Sequence, residues 1–190
     1  MDAYSKYSPV FISFILGITS AIIIQYLADR RKLKRIKGAI LAHLKDSILP
    51  CCKGLIENYQ LCQYILTHEH SVIINTFESF NTDLYKANHP SEYYKLFYSS
   101  KVKKDKFLLI SHIYSLVSFL KENLPFEMDE SYNNEIERHL DKHVKANENR
   151  NEHRVTCNIC KRIQEKYNNL YDMRIEEVKK LEKLVIEFLK

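Results

Sequence analysis

A chain of 190 residues has room for one compact domain and one additional element. Lys and Arg number 29 against 24 Asp and Glu. The formal excess of +5 sits entirely in residues 29–49, where Arg30, Arg31, Lys32, Lys34, Arg35, Lys37 and Lys45 face only Asp29 and Asp46. The remainder is electroneutral, which excludes a broad basic surface for nucleic acid, and the 3 glycines (Gly17, Gly38, Gly54) exclude a glycine-rich phosphate loop or a hairpin-dense β fold.

No residue from Tyr7 to Ala28 is charged. The stretch from Pro9 to Ala28 would span about 30 Å as a helix, the hydrocarbon thickness of a bilayer. A cleaved signal peptide would carry positive charge before its apolar run and a small-residue cleavage site after it; here Asp29-Arg30-Arg31-Lys32 follows directly. The basic collar Arg30, Arg31, Lys32, Lys34, Arg35 and Lys37, against Lys6 alone on the other flank, predicts a cytoplasmic C-terminal side and an N-terminus outside. Within the span, Ser13, Gly17 and Ala21 recur every four residues, and Gln25 extends the same face. Small residues at that spacing let helix backbones approach in lipid, and a polar amide there prefers a partner helix or water to acyl chains. Two readings stay open: an anchor with incidental small residues, or a self-associating anchor whose less apolar side faces a central axis.

Beyond the span every segment carries helical periodicity and none a period of two. The membrane helix is expected to continue through residues 29–49 on Leu33, Ile36, Ile40, Leu41 and Leu44, and to end at Pro50. Residues 51–68 place Leu55, Tyr59, Cys62 and Leu66 on one face, and residues 71–87 do the same with Ile73, Phe77, Phe80 and Leu84. His89-Pro90-Ser91 reads as a break before a short helix through Tyr98. Residues 103–124 offer Phe107, Ile110, Ile113, Leu116 or Val117, and Leu120. A further helix capped by Asp129 or Ser131 should end near Asn147–Asn151. A last long helix over 152–190 should bury Val155, Ile159, Ile163, Leu170, Val178, Leu181, Val185 and Phe188, with a kink at Asn168-Asn169. The chain therefore reads as all-α: a short outer tail (1–8), a transmembrane helix (9–28), a basic juxtamembrane helix (29–49) and a cytoplasmic helical domain (50–190).

The 5 cysteines, Cys51, Cys52, Cys62, Cys157 and Cys160, are odd in number and fall on the side where thiols stay reduced, so no disulfide framework is expected. Cys62 lies on an apolar stripe and reads as a core residue. Two clusters could carry chemistry. The first, Arg138-His139-Leu140-Asp141-Lys142-His143, has an arginine, a polar residue and a histidine five positions after the arginine. An imidazole can move protons at a ribose hydroxyl while a guanidinium stabilises charge on phosphorus. The alternative is a plain polar stripe of Glu135, His139 and His143. The second cluster is His153 with Cys157 and Cys160; with His139 and His143 it supplies a Cys2His2 set in reversed order. Because both pairs are predicted inside long helices, the preferred expectation is no metal, with His139, His143, Cys157 and Cys160 as the weaker zinc-binding alternative.

Arg138, His139 and His143 within an all-α domain resemble the signature of HEPN ribonucleases, whose protomers pair to build one RNA-cutting site. The whole layout (one N-terminal span, a basic collar and a helical domain bearing this motif) resembles the membrane-anchored HEPN-like accessory proteins of type VI-B CRISPR systems. That resemblance implies a cytoplasmic HEPN-like bundle on an inner-membrane anchor. It also implies assembly into a ring of more than two subunits that permeabilises or depolarises the membrane in antiphage defence, in contact with lipid and with the RNA-guided effector or RNA. No cofactor is implied. The motif leaves enzymatic activity open; the alternatives are a membrane-tethered, metal-independent HEPN endoribonuclease or an anchored adaptor without activity of its own.

Overall fold

The computed structural model describes residues 3–68, 80, 96–97, 101–144 and 149–190. Described residues are helical or in short connections, with no strand among them. The expected helix over 71–87 (Phe80 apart) and the break at His89-Pro90-Ser91 lie outside the described residues, as do residues 145–148; the helix expected to end near Asn147–Asn151 ends at His143. The chain divides into two compact units, Met1–Leu41 and Ala42–Lys190.

The first unit belongs to helix α1 (Ala3–His43), which starts before Pro9 and continues past the uncharged stretch into the basic collar. Every side chain from Phe11 to Lys32 is exposed, including Phe14, Leu16, Ile22, Ile24 and Tyr26, each at least 60 % accessible. A soluble amphipathic helix would bury one stripe; this one is apolar all round and buries none of it. It is the one helix among the described residues long and apolar enough to cross a membrane.

Pro50 does not end the helix. A five-residue π segment, Leu44–Ile48, precedes it, with the Leu49 N–H bonded to the Leu44 carbonyl five residues back. A proline lacks a donor and its ring crowds the carbonyl four residues earlier, here Asp46. Widening the preceding turn accommodates that ring, and helix α2 (Leu49–His68) carries Pro50 within its first turn.

The second unit is organised by a long C-terminal helix. Helices α3 (Lys101–Lys121), α4 (Pro125–His143), α5 (Arg150–Thr156) and α6 (Asn158–Leu189) complete the described set. α6 packs against α2, α3, α4 and α5. Its buried stripe is Cys160, Ile163, Tyr167, Tyr171, Ile175, Val178, Leu181, Val185 and Phe188, spaced at three or four residues over eight turns. Facing it are Leu55, Tyr59, Cys62 and Leu66 of α2 and Ile110, Ile113, Val117 and Leu120 of α3, buried as their periodicity predicts while Phe107 is only partly so, and Met128, Tyr132, Ile136 and Leu140 of α4.

Three local expectations are corrected. α4 starts at Pro125 rather than at Asp129 or Ser131, because a proline needs no hydrogen bond in the first turn and its fixed φ suits a helix start. Ser131 Oγ donates to the Glu127 carbonyl inside the helix. The final helix is not continuous from 152: it is interrupted at Cys157, and Val155 and Ile159 beside the interruption are about half exposed instead of core. Leu170, on the stretch that runs as one helix through Asn168-Asn169, is only partly buried instead of core, its place on the stripe taken by Tyr167 and Tyr171.

The corner between α3 and α4 is clamped at Asn123. The buried Tyr59 hydroxyl donates to the Asn123 carbonyl at 2.5 Å, and Arg174 Nη2 donates to Asn123 Oδ1 at 3.1 Å. The Arg174 guanidinium also lies 4.4 Å from the Phe119 ring centre and pairs with Glu177 at 2.8 Å. One arginine on α6 thereby satisfies a turn that would otherwise leave polar groups poorly solvated.

Candidate functional site

At the end of α4, five side chains that could bind or react converge: His139 and His143 from α4, His153 from α5, and Cys157 and Cys160 at the α5–α6 corner. Helical spacing explains the first pair. Tyr132, Ile136 and Leu140 face the core, so Glu135, His139 and His143 form the adjoining stripe, one row toward the edge. Glu135 is taken by Lys166 of α6 at 2.7 Å, which leaves the two imidazoles beyond it, their ring centres 4.6 Å apart.

The α5–α6 corner is built from local chemistry. Asn149 caps α5, its side chain accepting from the N–H groups of Asn151 and Glu152. Thr156 turns its hydroxyl back to the Glu152 carbonyl at 2.8 Å in the last turn. Cys157 then takes an extended conformation (φ −69°, ψ 124°) and becomes the first cap residue of α6. The Cys-x2-Cys pair therefore straddles a helix start, with Cys160 one turn in and buried. This corrects the expectation that both cysteines sit inside one long helix. Asn149-x2-Glu152, a polar cap followed three residues later by an acid, marks the start of α5 only.

Two arginines attach α5 to α4. Arg150 reaches Glu137 at 2.7 Å and Asp141 at 2.8 Å, and Arg154 donates to the Tyr132 hydroxyl at 3.0 Å with its guanidinium over that ring. The Arg150 pairs are about half exposed and individually weak. Between these arginines His153 is carried to within 6.0 Å of the His139 ring, centre to centre, and one turn later Cys157 Sγ meets His139 Nε2 at 3.3 Å. Donor atoms of His139, Cys157 and Cys160 all lie within 4.8 Å of one another.

The two thiols differ electrostatically. The Cys160 backbone N–H leads the hydrogen bonds that hold the Cys157 thiol below the ordinary thiol range, helped by the Ile159 N–H at the same helix start. Burial pushes Cys160 up to about 11, reinforced by its neighbour Cys157. His139 is shifted down, first by burial and then by the positive charge that His143 and His153 would share with it. Cys52 and Cys62 are core thiols, each pushed up to about 12 by burial.

Arg138 takes no part in this cluster. It is exposed on a helix that runs unbroken to His143, and five residues of α helix separate Arg138 from His143 by about 140° around the axis. Within one chain their side chains leave the helix in different directions, while His139 turns toward Cys157. In the first unit, Ser13, Gly17, Ala21 and Gln25 lie along one exposed face of α1, and a Cβ at Gly17 would meet no atom within 4 Å. The collar residues Arg30, Arg31, Lys32, Lys34, Arg35 and Lys37 are all exposed. No family model, curated protein or solved structure matches the chain.

Proposed function

We propose that this chain is a single-pass inner-membrane protein, its N-terminus outside and its helical domain in the cytoplasm, whose anchors associate into a pore-like ring. The observation that carries the reading is the uncovered apolar surface of α1 from Phe11 to Leu27. Eleven Val, Ile, Leu and Phe residues between Pro9 and Ala28 favour insertion by about 3–6 kcal/mol in sum. Against that gain stand only hydroxyls, one amide and glycine. Thr19 already satisfies its hydroxyl on the Ile15 and Leu16 carbonyls, at 2.9 and 3.0 Å, the usual way such a group enters lipid.

A lone helix cannot enclose water, since its side chains face lipid all round. Several copies can, if each turns its less apolar face inward, and the face of Ser13, Gly17, Ala21 and Gln25 allows close approach. The collar would then place rings of positive charge at the cytoplasmic mouth, favouring anions and slowing cations. Those rings repel one another, so the electroneutral helical domain must contribute contacts between subunits. The activity this architecture fits is permeabilisation or depolarisation of the membrane in antiphage defence, with a type VI-B RNA-guided effector or RNA as the partner and a HEPN-like bundle as the cytoplasmic domain.

The test is a membrane-potential dye in cells carrying the effector, its phage target and this protein. Wild type should depolarise on infection, while Gly17→Leu and Ala21→Leu should remain membrane-bound yet lose most of the signal, since added bulk separates the helices without lowering hydrophobicity. Absence of depolarisation in wild type contradicts the pore. RNA cleavage by purified protein that disappears in Arg138→Ala would instead identify the ribonuclease.

A further inference from the structure

Helix α5 presents a physical puzzle. It is seven residues long and none of them is buried. A segment of that length does not hold helical structure by itself in water, and amphipathic packing, which supports most short helices, is absent. Its charged ties to α4 are solvent-exposed at Arg150, which leaves Arg154 on Tyr132 and the His153–Cys157 side as its anchors. On that side lies a concentration of nitrogen and sulfur donors; of the acids along α4, Glu135 is held by Lys166, and Glu137 and Asp141 by Arg150.

We propose that His139, His153, Cys157 and Cys160 form a Cys2His2 site for a zinc-class divalent cation that staples α5 and the start of α6 to the end of α4. Tetrahedral zinc, with Zn–S of about 2.3 Å and Zn–N of about 2.0–2.1 Å, keeps its donors roughly 3.3–3.8 Å apart. His139 Nε2 and Cys157 Sγ are already at 3.3 Å, and the three donors including Cys160 lie within 4.8 Å, so these three need a contraction of about 1 Å, while His153, its ring centre 6.0 Å from that of His139, must turn in to join them. The Cys-x2-Cys corner has the form such a site requires: the first thiolate on an extended cap residue, the second one turn into the helix, both on one side.

His153 supplies the fourth donor. It precedes Cys157 by one helical turn and so shares its face. Its Nε2 is shielded from solvent and finds no hydrogen-bond partner among the described residues, an arrangement that a metal bond resolves. His143 is the rival, its ring tilted against that of His139 but exposed at the helix end. Two thiolates balance the 2+ charge, their protons passing to solvent on binding, and a mixed imidazole–thiolate set selects zinc over magnesium or calcium. The site is independent of the membrane reading, because it lies wholly within the second unit.

The test uses full-length protein in detergent, loaded with zinc, freed of excess and analysed for metal by mass spectrometry, with cobalt substituted in parallel. About one zinc per chain is expected, with cobalt giving thiolate-to-metal charge-transfer bands that report sulfur ligation. Cys157→Ser should lose the bands, and His153→Ala should weaken binding about 100-fold or more while His143→Ala leaves it unchanged. His153 is not part of the core, so His153→Ala remains informative should a cysteine variant fail to fold. No zinc uptake, cobalt bands that survive Cys157→Ser, a loss confined to His143→Ala, or a Cys157–Cys160 disulfide trapped directly from cells would each overturn the assignment.

Discussion

Ile18→Arg combined with Ile22→Arg should move the full-length chain from the membrane to the soluble fraction. The two positions lie about one turn apart near the middle of the uncharged stretch, about 100–140° around the helix from Gly17. Each arginine at the centre of a span costs about 2.5–3.5 kcal/mol, and each replaces an isoleucine that favoured insertion. Together they cost about 5–7 kcal/mol, which cancels the whole favourable sum of the apolar side chains. Carbonate extraction followed by sedimentation checks the outcome, with Ile18→Leu plus Ile22→Leu as the control that should stay in the pellet. A double-arginine protein that remains carbonate-resistant would show that something other than α1 holds the chain at the membrane.

The second large effect lies in the helical domain. Leu181 is fully buried on the stripe of α6, which touches four other helices, so truncating it leaves a void that neighbours on several elements must share. Leu181→Ala should cost about 2–5 kcal/mol. For a unit of this size that corresponds to a fall in melting temperature of roughly 6–12 °C when the cost is about 3 kcal/mol. Met173, on the same helix, is 57 % exposed, and Met173→Ala should change stability by no more than about 0.5 kcal/mol. Thermal unfolding of the detergent-solubilised protein followed by circular dichroism checks both. Equal losses in the two variants would mean that the exposed side of α6 is covered by another surface.

Most helix faces could be read from the sequence because burial follows a simple period. Leu55, Tyr59, Cys62 and Leu66, or Ile110, Ile113, Val117 and Leu120, are apolar where the interior lies, and the chain has no competing strand pattern. What could not be read depended on conformations that composition leaves ambiguous. Pro50 is a strong breaker in isolation, but a π turn before it absorbs the clash, and nothing in Leu44–Ile48 announces that turn. Pro125 reads equally as a break or a start, and the structure uses it as a start.

The α5–α6 corner shows the same limit at the candidate site. Val155, Ile159 and Ile163 keep an apolar period across the interruption at Cys157, so hydrophobicity alone argues for one helix. At Cys157 the backbone turns extended all the same, between the last turn of α5, where the Thr156 hydroxyl donates back to the Glu152 carbonyl, and the start of α6. Cysteine and histidine identities marked the second cluster in the sequence, but its geometry depends on that corner and on Arg154 bringing α5 to Tyr132. The motif at Arg138, His139 and His143 was equally visible; its members divide in space, with His139 at the thiols and Arg138 exposed.

The central claim is that the anchor both crosses the membrane and assembles, and the mass of the full-length particle tests it most directly. Purified in mild detergent and measured with the bound detergent subtracted, the wild-type protein should form a closed particle of more than two 22.6 kDa chains, and Gly17→Leu should shrink or disperse it. A wild-type monomer, or a particle whose size ignores Gly17→Leu and Ala21→Leu alike, would contradict assembly through this face.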